Sequence, residues 1–249
     1  YNQAAIHNDT RGPKHGPRNA AVRPDRDHHF GRIWRVQHNS PKQLPKPAFQ
    51  SNDDLVKALS SPNGWTRMTA QRLLVERGGA QVVPALHKLV RDDSANAYGR
   101  GLALWTAYLI SKKHDPETLA AAYTAKELPV RKAAAQLLRN YPIKASESNG
   151  HEKLQAAMRE ELTREGRLRL ETLLAISEAE DITPFTGALW TAYGSLNDSW
   201  TESALVSIFA RDPEAAIVAA TRLDDPARTV RTVRELANRI AAKQDASAA

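Results

Sequence analysis

The run Leu128-Pro129-Val130-Arg131-Lys132-Ala133-Ala134-Ala135-Gln136-Leu137-Leu138 decides how the rest of the chain reads. Pro129 falls at a first-turn position, where its missing N–H costs nothing and its fixed φ already suits a helix. Ala133, Ala134 and Ala135 are small enough to let a second helix approach closely. The pair Leu137-Leu138 can fill a core, and Arg131 can bond across to the neighbouring turn. Such a helix buries its faces only against a neighbour.

Working outward, the same signature returns on both sides. An arginine near the start of a helix, with a small or apolar residue three later, recurs as Arg67/Ala70, Arg100/Ala103, Arg131/Ala134 and Arg167/Leu170, at intervals of 33, 31 and 36 residues. Arg231 lies two further steps on, and the unit between, near Trp200, lacks the arginine. Helix starts and stops fall between these marks. Asn52-Asp53-Asp54 caps a helix carrying Leu55, Val56 and Leu59. Pro62-Asn63-Gly64 turns the chain, and Trp65, Met68, Leu73 and Leu74 continue on a second helix that stops at Gly78-Gly79. Five more pairs follow: 81–91 with 97–111, 116–126 with 129–141, 151–163 with 166–179, 184–194 with 199–210, and 213–223 with 226–243. Helix pairs repeating at roughly 30–47 residues read as an α-solenoid of the HEAT, armadillo or TPR kind. The expected fold is therefore all-α, a HEAT-like α-solenoid of about six helical hairpins over residues 51–249, in which each unit packs on its neighbours.

Residues 1–50 are different. They hold nine Lys/Arg against three Asp/Glu, five of the eight histidines and six of the fourteen prolines. Residues 51–249 are close to neutral, with twenty-six Lys/Arg against twenty-five Asp/Glu, so +6 of the net charge of +7 belongs to the first segment. Gly12-Pro13-Lys14-His15-Gly16-Pro17-Arg18 is turn chemistry. The expectation is an extended, mostly irregular basic arm with one short strand at 31–36, Gly31-Arg32-Ile33-Trp34-Arg35-Val36. A lone strand cannot satisfy its own backbone, so it is expected to pair with a sheet on a partner. Pro41, Pro45 and Pro47 make a stiff connector.

Composition narrows the function classes. No cysteine is present, which excludes disulfides, Cys-ligated zinc, iron–sulfur clusters, CxxCH haem attachment and thiol catalysis. No apolar run approaches the roughly 20 residues that cross a bilayer. The chain begins at Tyr1 rather than Met and is expected to be a mature form or a fragment. No GxGxxG, Walker A, GxSxG or HExxH pattern occurs. Asp25, Asp27, His28 and His29 are metal-capable, but adjacent histidines on a strand point to opposite faces, so a polar loop is the better reading and no metal or cofactor is expected. Arg11, Lys14, Arg18, Arg23, Arg26, Arg32 and Arg35 beside Phe30 and Trp34 could meet phosphates and bases; an arm on an acidic partner surface is the favoured reading. Trp65, Trp105, Trp190 and Trp200 fall where hairpins meet and are expected in the core. Glu160-Glu161 and Glu178, Glu180, Asp181 read as solvated faces rather than an acid–base pair.

Pro24 to Val36 resembles the exit from the last blade of a β-propeller. Ser61-Pro62-Asn63-Gly64-Trp65-Thr66-Arg67-Met68-Thr69-Ala70-Gln71-Arg72-Leu73-Leu74 resembles the first repeat that follows it, and Arg100-Gly101-Leu102-Ala103-Leu104-Trp105-Thr106 the second. Together they resemble the secreted "membrane-bound dehydrogenase" type proteins of planctomycete-like bacteria, which join a sorbosone-dehydrogenase-like propeller to HEAT repeats and often to cytochrome c. The likeness covers residues 20–140, with 140–249 similar only to generic HEAT. It implies the non-catalytic arm of such a protein, placed in the periplasm or outside the cell. The family's blades would precede Tyr1, its haem motif is impossible without cysteine, and a histidine often found in the second repeat is Leu102 here. No catalytic residue carries over.

The expected function is a non-enzymatic interaction or scaffold subunit that meets a protein partner, a β-propeller or other subunit of an extracytoplasmic redox or surface complex. Arg23, Arg26, His28, His29, Arg32, Ile33, Trp34 and Arg35 are the expected partner-binding residues. One alternative is the C-terminal fragment of a propeller-type sugar dehydrogenase, active only with its blades. Another is a nucleic-acid-binding HEAT protein similar to the alkylpurine glycosylases of that architecture, which would need a basic concave face that a near-neutral solenoid does not offer.

Overall fold

The structure, a computed structural model, describes residues 39–40, 46–144, 150–164, 166–193, 195, 198–222 and 229–248. The chain divides into two units, residues 1–46 and 47–249, and the fold described is that of the second. The strand expected at 31–36 lies outside the described residues.

Among the described residues are twelve α-helices and no strand. They pair in chain order: α1 (Asn52–Ala58) with α2 (Gly64–Arg77), α3 (Val83–Arg91) with α4 (Ala97–Ser111), α5 (Pro116–Tyr123) with α6 (Leu128–Asn140), α7 (Glu152–Thr163) with α8 (Arg167–Glu178), α9 (Thr186–Tyr193) with α10 (Ser199–Phe209), and α11 (Pro213–Ala220) with α12 (Val230–Ala248). Local chemistry explains the boundaries. Ser51 and Asp54 form a reciprocal capping box at the start of α1, the arrangement that satisfies two orphan donors at once. Asn63, Asn96, Asp115, Asp198 and Asp212 each accept backbone N–H bonds at a helix start, and Pro sits in the first turn of α3, α5, α6 and α11. Gly79, with φ +70°, makes the turn from the first hairpin to the second.

Odd-numbered helices pack on odd-numbered ones, α1 on α3 through α9 on α11; even-numbered helices pack on even-numbered ones from α2 to α10. The result is a two-layer, repeat-like all-α stack. Its core runs through every hairpin, with Leu55, Leu74, Leu86, Leu119, Leu137, Leu154, Leu173, Leu189, Leu205 and Leu236 all buried. Small residues bring the layers together. A Cβ added to Gly99 would fall 2.5 Å from Ser60 Oγ and 3.0 Å from the Leu59 carbonyl, so the start of α4 fits against the end of α1 only without a side chain there.

The recurring arginine bonds the segment that joins the two helices of its own hairpin, or the last turn of the first helix. Arg67 Nη1 donates to the carbonyls of Ser61 (2.8 Å) and Pro62 (3.0 Å). Arg100 Nε donates to Val90 O at 2.9 Å, and Arg131 Nη1 to Ala125 O (3.0 Å) and Lys126 O (3.2 Å). The Val90 carbonyl, in the last turn of α3, lacks a partner within its own helix, whereas Ser61, Pro62, Ala125 and Lys126 lie in the turns beyond α1 and α5. In the fourth hairpin the pairing expected at Arg167/Leu170 is corrected to Arg169/Thr172. Arg169 Nε reaches the Arg164 carbonyl at 2.6 Å, and Thr172 is buried like Ala70, Ala103 and Ala134. The shift arises at Gly166, which caps α8 with φ +133°, one residue closer to the arginine than Asn63, Asn96 or Glu127 in the other hairpins. The fifth hairpin has Glu202 at the arginine position. Here Arg211, beyond α10, closes the end of α8 instead, through the carbonyls of Ser177 and Ala179, each at 2.6 Å.

Candidate functional site

Three N-cap residues set the exposed edge of the even-numbered layer. Asn63, Asn96 and Asp198 each hold the backbone N–H of the residue two places on, which is Trp65, Tyr98 and Trp200. At that second helical position the side chain leaves the outer flank of the stack. Trp65 is 66 % exposed, Tyr98 61 % and Trp200 77 %. Leu128, at the start of α6, is exposed too, as is Met68, one turn beyond Trp65. In α8 the equivalent residue is Leu168, which is buried. The first three hairpins therefore each expose an apolar residue at the start of their second helix, as the fifth does with Trp200.

This corrects the expectation that all four tryptophans of the helical region are core. Trp190 is core: it is 2 % exposed, stacks on Phe209 at 4.1 Å, and donates Nε1–H to the Ala216 carbonyl at 2.7 Å. Trp105 is half-buried and donates to Ala133 O at 3.2 Å across to the next hairpin. Trp65 and Trp200 are surface residues.

The row is held in place from beside and beneath. The Phe49 ring lies 6.2 Å from that of Trp65, and the Arg67 guanidinium sits 5.3 Å over the Tyr98 ring, a cation–π geometry. Arg100, 1 % exposed, follows Tyr98 in α4 and is paired with Asp93 at 2.8 Å and Glu127 at 3.0 Å. Through Glu127, the residue that precedes α6, it ties the second hairpin to the third. Further along the even layer Lys132 and Gln136 both reach Glu171, at 3.4 and 3.3 Å.

Of the carboxylates read as solvated, Glu160, Glu178, Glu180 and Asp181 are exposed. Glu161 is a correction: it is buried, because it follows Leu154 and Met158 on the inner face of α7, where Arg164 pairs with it at 3.4 Å. Nothing in this set forms a pair across a cleft.

A second feature has no counterpart among the sequence expectations. Between the end of α6, the start of α7 and the turn at 181–185 lies a cavity of ≈ 140 Å³. Leu138, Ile143, Leu154, Met158 and Phe185 supply apolar wall, and Lys144, Gln155 and Asp181 supply polar lining. His151 also lines it, 3 % exposed, and neither ring nitrogen has a hydrogen-bond partner. Each buried polar atom left this way costs about 1–3 kcal/mol, so the imidazole is held at a cost to stability. Away from the cavity, Tyr123 of α5 bonds to Thr172 of α8, whose Oγ1 donates to Leu168 O at 2.9 Å, and burial pushes the Tyr123 phenol above its ordinary value.

Arg23, Arg26, His28, His29, Arg32, Ile33, Trp34 and Arg35 all lie outside the described residues. Among the described residues no group of His, Asp or Glu converges to hold a metal ion, and no helix is long and apolar enough to cross a membrane. No protein family, no curated protein and no solved structure matches the chain.

Proposed function

We propose that the stacked hairpins form an α-solenoid of HEAT type and that the chain is a non-catalytic interaction subunit, holding a protein partner across the first turns of α2, α4 and α6. The observation that carries this reading is the exposure of Trp65 and Tyr98 at the second position of α2 and α4, with Met68 one turn beyond Trp65 and Leu128 at the first position of α6. Interface cores are enriched in Trp, Tyr, Met and Arg, and Trp, Tyr and Arg dominate binding hot spots. The row offers these residue types, with Arg67 over the Tyr98 ring and already fixed by its bonds to Ser61 and Pro62. Large aromatic groups set on rigid helix starts lose little entropy on binding, which favours recognition over mere exposure.

The resemblance of residues 20–140 to the propeller–HEAT dehydrogenases supplies the partner class we propose: a β-propeller or another subunit of an extracytoplasmic redox or surface complex. In that arrangement the basic arm adds the strand 31–36 to a sheet of the partner. The reading is tested by affinity capture from an envelope extract of the source cell, comparing the wild type with the triple variant Trp65→Ser/Met68→Ser/Tyr98→Ser. The expected result is a partner retained by the wild type and reduced at least tenfold by the variant, whose far-UV circular dichroism is unchanged. Equal recovery by both proteins overturns it.

A further inference from the structure

The cavity between α6, α7 and the turn at 181–185 plays no part in the aromatic row. Its walls are apolar and buried, with Leu138, Leu154, Met158, Ala175 and Phe185 around it. His151 adds ring wall and no anchor, because neither of its nitrogens is accessible. The volume of ≈ 140 Å³ is close to the roughly 150 Å³ of an engineered apolar cavity that takes up benzene. A single ring with a short substituent is therefore the body that these walls fit.

The polar lining stands at the mouth: Lys144 and Asp181 are exposed, and Gln155 is half-buried. The two charges offset each other. A charged ligand gains from one what it loses to the other, and it still has to leave water. A neutral ligand pays neither cost. Asp181 Oδ1 accepts the Thr183 N–H at 2.8 Å, while Oδ2 has no partner among the described residues. A carboxylate oxygen left over in this way calls for a donor, and the bond to an ionised acceptor is about twice as strong as one between neutral groups.

We propose that this cavity binds a compact neutral molecule, a single ring or a branched aliphatic body carrying one hydroxyl or N–H donor. The apolar body lies between Leu154, Met158 and Phe185, and the donor meets Asp181 Oδ2. This site is separate from the surface that meets a protein partner, and its test does not depend on that surface.

The test titrates the full chain with probes of one shape: benzyl alcohol, ethylbenzene, benzylamine and benzoate. The chain has two methionines, so the methyl NMR signals report locally, assigned through the loss of one in Met68→Leu. Benzyl alcohol should shift the Met158 signal saturably and leave that of Met68, on the outer surface, in place. By calorimetry, benzylamine and benzoate should each bind at least tenfold more weakly than benzyl alcohol. Asp181→Asn keeps an oxygen for the Thr183 N–H but removes the charged acceptor. It should weaken benzyl alcohol about threefold or more, leave ethylbenzene unchanged, and bring benzoate closer to benzyl alcohol. Ala175→Leu fills the cavity and should abolish binding of both neutral probes; Ala179→Leu, half-buried in the same lining, serves if Ala175→Leu does not fold. The proposal is overturned if benzyl alcohol leaves the Met158 signal unmoved, if either charged probe binds as tightly as benzyl alcohol, if Asp181→Asn binds benzyl alcohol like the wild type, or if the folded cavity-filling variant still binds it.

Discussion

Replacing Arg100 with methionine removes the charge at the centre of the stack while keeping most of the apolar stem that the arginine buries. Three partners are lost: Val90 O at 2.9 Å, Asp93 at 2.8 Å and Glu127 at 3.0 Å. Asp93 is 86 % exposed, so its pairing is screened and contributes less than about 1 kcal/mol. A bond from a charged donor to a buried carbonyl is worth about 1.5–3 kcal/mol. Breaking a fully buried ion pair costs about 3–5 kcal/mol, but Glu127 is 34 % exposed and can turn to water, which brings its share down to about 1 kcal/mol. The expected loss is about 3 kcal/mol, a fall in Tm of roughly 6–12 °C for a domain of this size. Arg131→Met removes bonds to partly exposed carbonyls, and Arg67→Met removes such bonds together with the exposed contact on the Tyr98 ring; each should cost about 1 kcal/mol. Urea denaturation followed by circular dichroism measures all three. A loss below about 1 kcal/mol for Arg100→Met, or one equal to that of Arg67→Met, would refute the assignment of Arg100 as the link between the second and third hairpins.

Other consequences follow from the same geometry. Gly99→Ala should destabilise by about 1–3 kcal/mol, since the added methyl meets Ser60 and Leu59, while Gly187→Ala, with nothing within 4 Å, should stabilise by up to about 1 kcal/mol through helix propensity; thermal melts of the two read the difference. Tyr123 keeps its proton in the folded state above its ordinary pKa of 10.0, so the unfolded chain sheds that proton first. Its contribution is whole below about pH 10 and is lost as pH rises beyond it; denaturation at about pH 9 to 11 should show that fall, and Tyr123→Phe should flatten it. Trp190→Ala should cost about 3–5 kcal/mol, whereas Trp200→Ser should lie within about 0.5 kcal/mol of wild type. Acrylamide quenching should be reduced by loss of Trp200 and unaffected in the residual core emission.

The hairpins are legible in the sequence because each is punctuated by its own chemistry. Asx residues or Pro mark the starts, Gly or Pro the turns, and the arginine recurs where it can reach back to the segment joining the helices of its pair. The fourth arginine falls two residues later than the repeat suggests, because a period counts residues whereas the bond depends on distance from the cap. Gly166 shortens that distance. The tryptophans depart from expectation for a related reason: hydrophobicity points to burial, but a residue two places after a capping Asn or Asp faces outward. Asn63-Gly64-Trp65 and Asp198-Ser199-Trp200 carry that signal in plain view, as does the Leu154, Met158, Glu161 spacing that buries Glu161. The His151 cavity has no such signal. It exists only because the end of α6, the start of α7 and the turn at 181–185 converge, and no local pattern encodes where three separated segments leave a gap.

The exposed row of the first three hairpins, as the surface that meets a partner, is the central claim. A photoreactive benzoyl-phenylalanine placed at Tyr98, and a control placed at the exposed Lys112 at the far end of the same helix, would probe it within the source cell. Crosslinking of position 98 to one protein species, with position 112 silent, is the predicted result; equal labelling from both positions, or labelling from Lys112 alone, would contradict it.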